Sequence, residues 1–259
     1  MQITFNPTVK YTPAFSAKSK EIRKADDIQR KTRTEFPFFS PHYAKVYFPT
    51  TVSNRIGKKI SYDKTKKLDC MRKERYEFET SLPEEVRKVI KDTVREKIAN
   101  CGEAALITMS TLLANGYTDT HRCAVILSNE VVDKKTGDLY FLENYDLDHA
   151  CVVSTMAKAG EKKPYIVLDS WHGFADSLSS SRARYLQLTK KEELDEYKDA
   201  TIAAFEEKKK KKFDFEKYEV RQKINFEILD STTEQDDKSI KNIFKKQYKQ
   251  LIFDESQKD

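Results

Sequence analysis

Apolar positions change their rhythm along this chain, and the sharpest change comes at Ser81. From there Val86, Val89, Ile90, Val94 and Ile98 recur at helical spacing with Lys, Arg, Asp and Glu between them, which predicts an amphipathic helix ending near Ala99. SLPEE opens it, with Ser81 as N-cap, Pro83 in the first turn and Glu84 three residues after the cap. Asn100 interrupts, and CGEAALITMSTLLANG begins a second helix that is apolar on nearly every side from Ala104 to Leu113. A helix of that composition belongs in the middle of a domain; Asn115 and Gly116 close it. Three runs rich in Val, Ile and Leu follow, HRCAVILS (121–128), DHACVVSTM (148–156) and PYIVLDSW (164–171), and they read as strands. The polar AKAGEKK between the last two is short enough to make them an antiparallel hairpin.

The flanks read differently. Residues 1–35 carry Pro7, Pro13 and many basic residues without sustained periodicity, so a flexible basic segment is expected, with one short helix near 18–31. Residues 36–80 begin with the aromatic-dense FPFFSPHYAKVYFP, an extension expected to pack on the core or on a partner; HYAKVYF has strand character stopped by Pro49. Residues 81–185 form the expected central domain. Residues 186–259 read as a charged helical extension, with EEKKKKKF (206–213) as a solvated helix face. In KNIFKKQYKQLIF (241–253), Ile243, Phe244, Tyr248, Leu251 and Ile252 make a docking face. Together the elements define an α+β fold: a buried helix packed on a small antiparallel sheet, followed by a helical C-terminal extension.

Charge adds where a partner would meet the chain. The net charge of +6 is unevenly spread, with +9 in residues 1–80, −2 in 81–189 and −1 in 190–259. An anionic membrane surface would therefore meet the basic N-terminal third. The five-lysine run Lys208–Lys212 is the second basic feature, and no aromatic-interleaved motif points to nucleic acid. Cys70, Cys101, Cys123 and Cys151 show no CxxC or zinc-ribbon spacing, so neither metal nor other cofactor is expected, and free thiols imply a reducing compartment. No apolar run reaches the length of a membrane span.

One constellation carries chemistry. A thiol becomes a nucleophile as its thiolate, which a helix N-terminus stabilises through partial positive charge and free N–H groups. Asn100 as cap and Glu103 as its third-residue partner place Cys101 in the first turn of the buried helix. Gly102 leaves the backbone beside the sulfur open, so a substrate carbonyl would reach the Cys101 N–H as part of an oxyanion hole. His149 starts one predicted strand and Asp169 ends its hairpin partner, so a ladder position opposite or diagonal to His149 would bring the carboxylate to the imidazole. Cys101 is then the nucleophile, His149 the base and Asp169 the group that fixes its tautomer. Trp171, His172 and Gly173 would wall the cleft, with His172 the reserve candidate for the base. Cys123 and Cys151 lie inside apolar strands and read as core residues. His42 and His121 have no partner motif.

NCGEAA (100–105), DHACVV (148–153) and VLDSWHG (167–173), in that order, resemble the three motifs of the papain-like Cys-His-Asp hydrolases found among bacterial secreted effectors and toxins. The resemblance covers about 81–175 and implies a papain-like fold, a thiol hydrolase and a role in virulence. Two departures stand out: Ser170 occupies the position where the family often has Pro, and no upstream Gln is identifiable as an oxyanion donor. Of Arg95, Glu96 and Asn100, only Asn100 offers a neutral side-chain donor. The implied reaction is amide hydrolysis through a thioester, with a peptidase acting on a protein substrate favoured. A protein glutamine deamidase or an acyltransferase would use the same triad. A non-enzymatic interaction protein retaining the fold is the rival reading from another class. The leader MQITFNPTVKYTPAFSAKSK resembles the uncleaved export signals of proteins injected into host cells; without export the chain would act in the cytoplasm.

Overall fold

A computed structural model describes residues 19–36, 66–73, 81–230 and 232–247. Within them helix α1 spans Lys20–Glu35, residues 66–73 form α2, α3 spans Leu82–Glu96 and α4 Cys101–Ala114. Two long strands follow, β1 (Tyr117–Asp133) and β2 (Leu139–Lys158), then the short β3 (Ile166–Asp169) and β4 (Phe174–Ser177). Helices α5 (Leu178–Leu188) and α6 (Lys191–Lys209), strand β5 (Tyr218–Asp230) and helix α7 (Glu234–Gln247) complete the described order.

The five strands form one sheet in the order β4-β3-β2-β1-β5, every neighbouring pair antiparallel. Its two faces are covered differently. Ala150, Val152, Ile166 and Leu168 meet α4 together with apolar residues of α1, α3 and α7. Cys123, Val125, Leu127, Cys151, Val153 and Val167 meet Tyr185 of α5, with residues of α6 packed alongside. The fold is thus α+β, with a small open antiparallel sheet and the buried helix α4 packed on it. All of α4 from Glu103 to Ala114 is buried, as its uniform hydrophobicity predicted. The hairpin of β2 and β3 is also as expected, pairing Val152 with Leu168 and Ser154 with Ile166.

Several expectations need correction. Helix α3 ends at Glu96, where Lys97 turns left-handed at φ 53°. Val94 is therefore exposed, Thr93 takes its place on the buried face, and Ile98 is buried from outside the helix. The short helix expected near 18–31 is present as α1, but it runs on to Glu35 and, in place of a flexible segment, buries Ala25, Asp26, Ile28, Gln29 and Thr32. These positions recur at three- and four-residue intervals, and they pack against α4, β3 and β4. The expected strand at 42–48 and the other aromatic positions of 37–65 lie outside the described residues.

The largest correction concerns 186–259, expected to be a mostly helical, charged extension. Strand β5 pairs with β1 from Tyr218↔Asp133 to Asp230↔Arg122, so the sheet crosses the expected boundary at residue 185. Tyr218, Val220, Ile224, Phe226 and Ile228 alternate with polar residues, the period of a half-buried strand, beneath a high charge density that suggests a solvated helix. The lysine run is split as well: α6 ends at Lys209, Lys210 turns left-handed and Lys212 pairs with Glu206. On α7 Ile240, Ile243 and Phe244 are buried, while Tyr248, Leu251 and Ile252 lie outside the described residues.

Candidate active site

Cys101 is the first residue of α4, half-buried, with Asn100 in extended conformation as the N-cap. The Glu103 carboxylate accepts from the Asn100 N–H at 3.0 Å. Arg72 of α2 grips the same carboxylate with two hydrogen bonds of 2.7 and 2.9 Å. The Asn100 Oδ1 is buried without a hydrogen-bond partner among the described residues, so only the Glu103 half of the capping box is firmly made. As the first helical residue, Cys101 carries an N–H with no intrahelical acceptor, available to a substrate oxygen. A Cβ on Gly102 would meet nothing nearer than the Arg72 guanidinium at 3.9 Å. Glycine there keeps the approach to the sulfur open without being demanded by packing.

His149 reaches this helix because β2 bulges. Between the pairs Ala124↔Ala150 and Ile126↔Asp146, Leu147, Asp148 and His149 stand opposite the single residue Val125. Asp148 adopts φ 49°, a left-handed conformation that aspartate tolerates better than most residues. The Asp146 side chain holds the kink by accepting from the Asp148 N–H at 2.8 Å. Bulges of this kind re-aim side chains beside functional sites. Here the bulge sets the Asp148 carbonyl 3.7 Å from the Cys101 Sγ and brings the adjoining His149 ring into the electrostatic neighbourhood of the thiol.

The other side of the ring meets Asp169. His149 Nε2 lies 2.7 Å from Asp169 Oδ2, which leaves Nδ1 for the sulfur. Continuing the β2–β3 register one step beyond Val152↔Leu168 sets Asp169 against Cys151, two residues from His149, so of the opposite and diagonal positions the hairpin allowed, the diagonal one is occupied. Asp169 is 1% exposed and collects five donors. The Trp171 and His172 N–H groups reach Oδ1 at 2.9 Å each. His172 Nδ1 and the Tyr185 hydroxyl join His149 on Oδ2, both at 2.7 Å. Ser170, where the resembled family often has Pro, meets the Thr108 hydroxyl of α4 at 2.5 Å. Gly173, at φ 76°, lets the turn pass α1, where a Cβ would collide with the Arg33 guanidinium.

Electrostatics follow from these contacts. Burial alone would push the His149 proton affinity down, but the hydrogen bonds to Asp169 and then to Cys101 outweigh it and raise the pKa to about 10. Burial would raise the Asp169 pKa, yet hydrogen bonds from His149 and His172 hold its carboxyl well below the usual range. Cys123 is pushed up to about 11 and Cys151 well above the ordinary thiol value, both chiefly by burial. Those two thiols are therefore protonated core groups.

No protein-family model matches the chain, no curated protein matches its sequence, and no solved structure matches its fold. The site must be read from its own geometry. His149, Asp169 and His172 have the composition of a metal site, with ligand atoms within 4.8 Å of one another. Both imidazole nitrogens, however, bond directly to one carboxylate oxygen, so the cluster is a hydrogen-bonded network.

Cys101, His149 and Asp169 are therefore brought together, and Asn100, Gly102 and Trp171 adjoin them. Arg95 and Glu96 instead pair with each other at 2.7 Å. His121 bonds Asp119 on the surface, and His42 lies outside the described residues. Sequence reasoning missed Tyr185, Thr108, Asp146 and the N-terminal Gln29, whose buried amide donates to the Asp169 carbonyl at 3.5 Å. None of the four has a local motif; each acts through a partner distant in sequence or through a bulge. No helix among the described residues is long and apolar enough to cross a membrane.

Proposed function

We propose that this protein is a cysteine hydrolase of papain-like architecture that cleaves an amide bond, most naturally a peptide bond in a protein substrate. The observation that carries the reading is the bulge that sets the Cys101 thiol 3.7 Å from the Asp148 carbonyl, next to His149, whose Nε2 meets the buried Asp169 carboxylate at 2.7 Å. The order supports it too: a nucleophile at a helix start, a base on a strand and an orienting carboxylate at the next strand's end.

In the first half-reaction the Cys101 thiolate attacks the carbonyl carbon, and the oxyanion is held by the Cys101 N–H at the α4 N-terminus. The tetrahedral adduct collapses as the C–N bond breaks, and the His149 imidazolium gives its Nδ1 proton to the departing amine. A water then loses a proton to His149, adds to the thioester and releases a carboxylic acid and the free thiol. Throughout, Asp169 fixes the tautomer and stabilises the imidazolium. With a glutamine side chain as substrate the same steps release ammonia, and with an amine in place of water they transfer the acyl group.

The test is mass spectrometry of a cell lysate treated with the protein or with Cys101→Ala. New peptide termini made only by the intact protein support peptidase action, and Gln-to-Glu conversion without new termini redirects the reading to a deamidase. Neither change, together with a Cys101 thiol that alkylates slowly at pH 6, would sink hydrolase chemistry and favour an interaction protein.

A further inference from the structure

We propose that Tyr185 and His172 are positioning residues of this reaction: sharing Oδ2 of Asp169 with His149, they set how strongly the carboxylate holds the catalytic imidazole. The inference rests on the hydrolase reading for its chemical meaning, but its test does not need turnover.

Three donors converge on a single oxygen, His149 Nε2, His172 Nδ1 and the Tyr185 hydroxyl, each at 2.7 Å. Orienting an imidazole needs one such bond. A carboxylate serving only His149 would also concentrate its charge on that ring, making a base that takes a proton readily and returns it poorly to a leaving amine. Acid–base catalysis works best when the group's proton affinity lies near the working pH. Each further donor to Oδ2 draws off part of the negative charge and moderates the pull on His149.

The two residues are also placed to keep the oxygen still. Tyr185 is 3% exposed on α5, with its ring 5.6 Å from that of His149 and 6.2 Å from that of His172. The two imidazole rings lie 4.6 Å apart, tilted 54° to each other. Other titratable or charged groups near the network are Cys101 at the start of α4, Cys151 on β2 and Arg33 of α1 against Gly173. Only His149, His172 and Tyr185 place side-chain donors on the carboxylate among the described residues.

The chain has four histidines, so NMR titration of histidine-labelled protein resolves His149 once His149→Gln identifies its signal. Removing either shared donor should leave Asp169 holding the imidazolium more tightly. Tyr185→Phe and His172→Ala are each expected to raise the His149 pKa by about one unit, a tenfold change in proton affinity. His172→Asn, which can present an amide N–H near the place of Nδ1, should restore at least half of the His172→Ala shift. A merely structural role would lower the melting temperature and leave the His149 titration where it was. If the phenol proves essential for folding, the partly exposed His172 pair decides alone. A shift below about 0.3 unit, a shift downward or no recovery in His172→Asn overturns the proposal. Cys101 alkylation at pH 6 in the same samples separates the two claims: a slow wild-type thiol fails the hydrolase reading, while the His149 shift still judges the shared carboxylate.

Discussion

The hydroxyls of Thr108 and Ser170 lie 2.5 Å apart and join helix α4 to the turn that carries Asp169. Thr108 donates to the Ala104 carbonyl at 2.8 Å, so Ser170 is the donor of the pair. Thr108→Val leaves the buried Ser170 hydroxyl without its acceptor, whereas Ser170→Ala leaves Thr108 its helical bond. We expect Thr108→Val to cost about 1–3 kcal/mol and Ser170→Ala less than half as much, measured by urea denaturation. The reverse order would mean that Ser170 holds the turn by other means.

The triad members should fail unequally. Cys101→Ala removes the atom that forms the thioester, so turnover vanishes while the fold persists. His149→Ala should be nearly as damaging. Asp169→Asn keeps the shape but favours the wrong tautomer, with a loss of roughly a hundredfold to ten-thousandfold in kcat. Equal, partial losses accompanied by lower melting temperatures would assign these residues to the fold instead.

The bulge can be probed by the conformation it needs. Asp148 at φ 49° accepts glycine, whereas a β-branched residue there is strained. Asp148→Gly should alkylate at Cys101 as fast as the wild type. Asp148→Val and Asp146→Ala should alkylate more slowly at pH 6, because the ring is no longer aimed at the sulfur. Identical rates in all three would remove the bulge from the account of the site.

Thiol reactivity should be selective. With the exposed Cys70 replaced by Ser, brief iodoacetamide treatment at pH 6 should label Cys101 and leave Cys123 and Cys151 untouched, as read from peptide masses. The latter two are buried, with their proton affinities pushed up. Labelling of Cys151 before Cys101 would contradict the assignment of the nucleophile.

Stability should carry the signature of the imidazole. His149 titrates near 10 in the folded chain against an ordinary value of 6.5. A raised folded-state value gives a contribution that is whole below about 6.5 and is lost as pH climbs towards about 10. The stability gap between wild type and His149→Gln should therefore be widest at pH 6 and narrow towards pH 9.5. For Asp169, whose carboxyl is held low, the contribution is present above the ordinary carboxylate range and disappears as pH falls. A gap that stays constant across the range would refute the linkage.

What the sequence determined by itself was local. The capped, uniformly apolar α4 with Cys101 at its start, the β2–β3 hairpin and the order Cys101, His149, Asp169 follow from short-range patterns, because caps, periodicity and turns are written within a few residues. Tertiary structure decided what depends on distant partners. Strand β5 finds its place beside β1, from the pair Asp133↔Tyr218 to the pair Arg122↔Asp230, far earlier in the chain, and its alternating apolar residues have meaning only once that partner exists. Helix α1 became part of the core because α4 and the Asp169 turn offer it a surface. The bulge at Asp148 and the approach of His172 and Tyr185 to one carboxylate oxygen were set by the register of the strands and the docking of α5. Spacing along the chain names the residues that can perform the chemistry; the packing of elements far apart in sequence fixes which atoms meet.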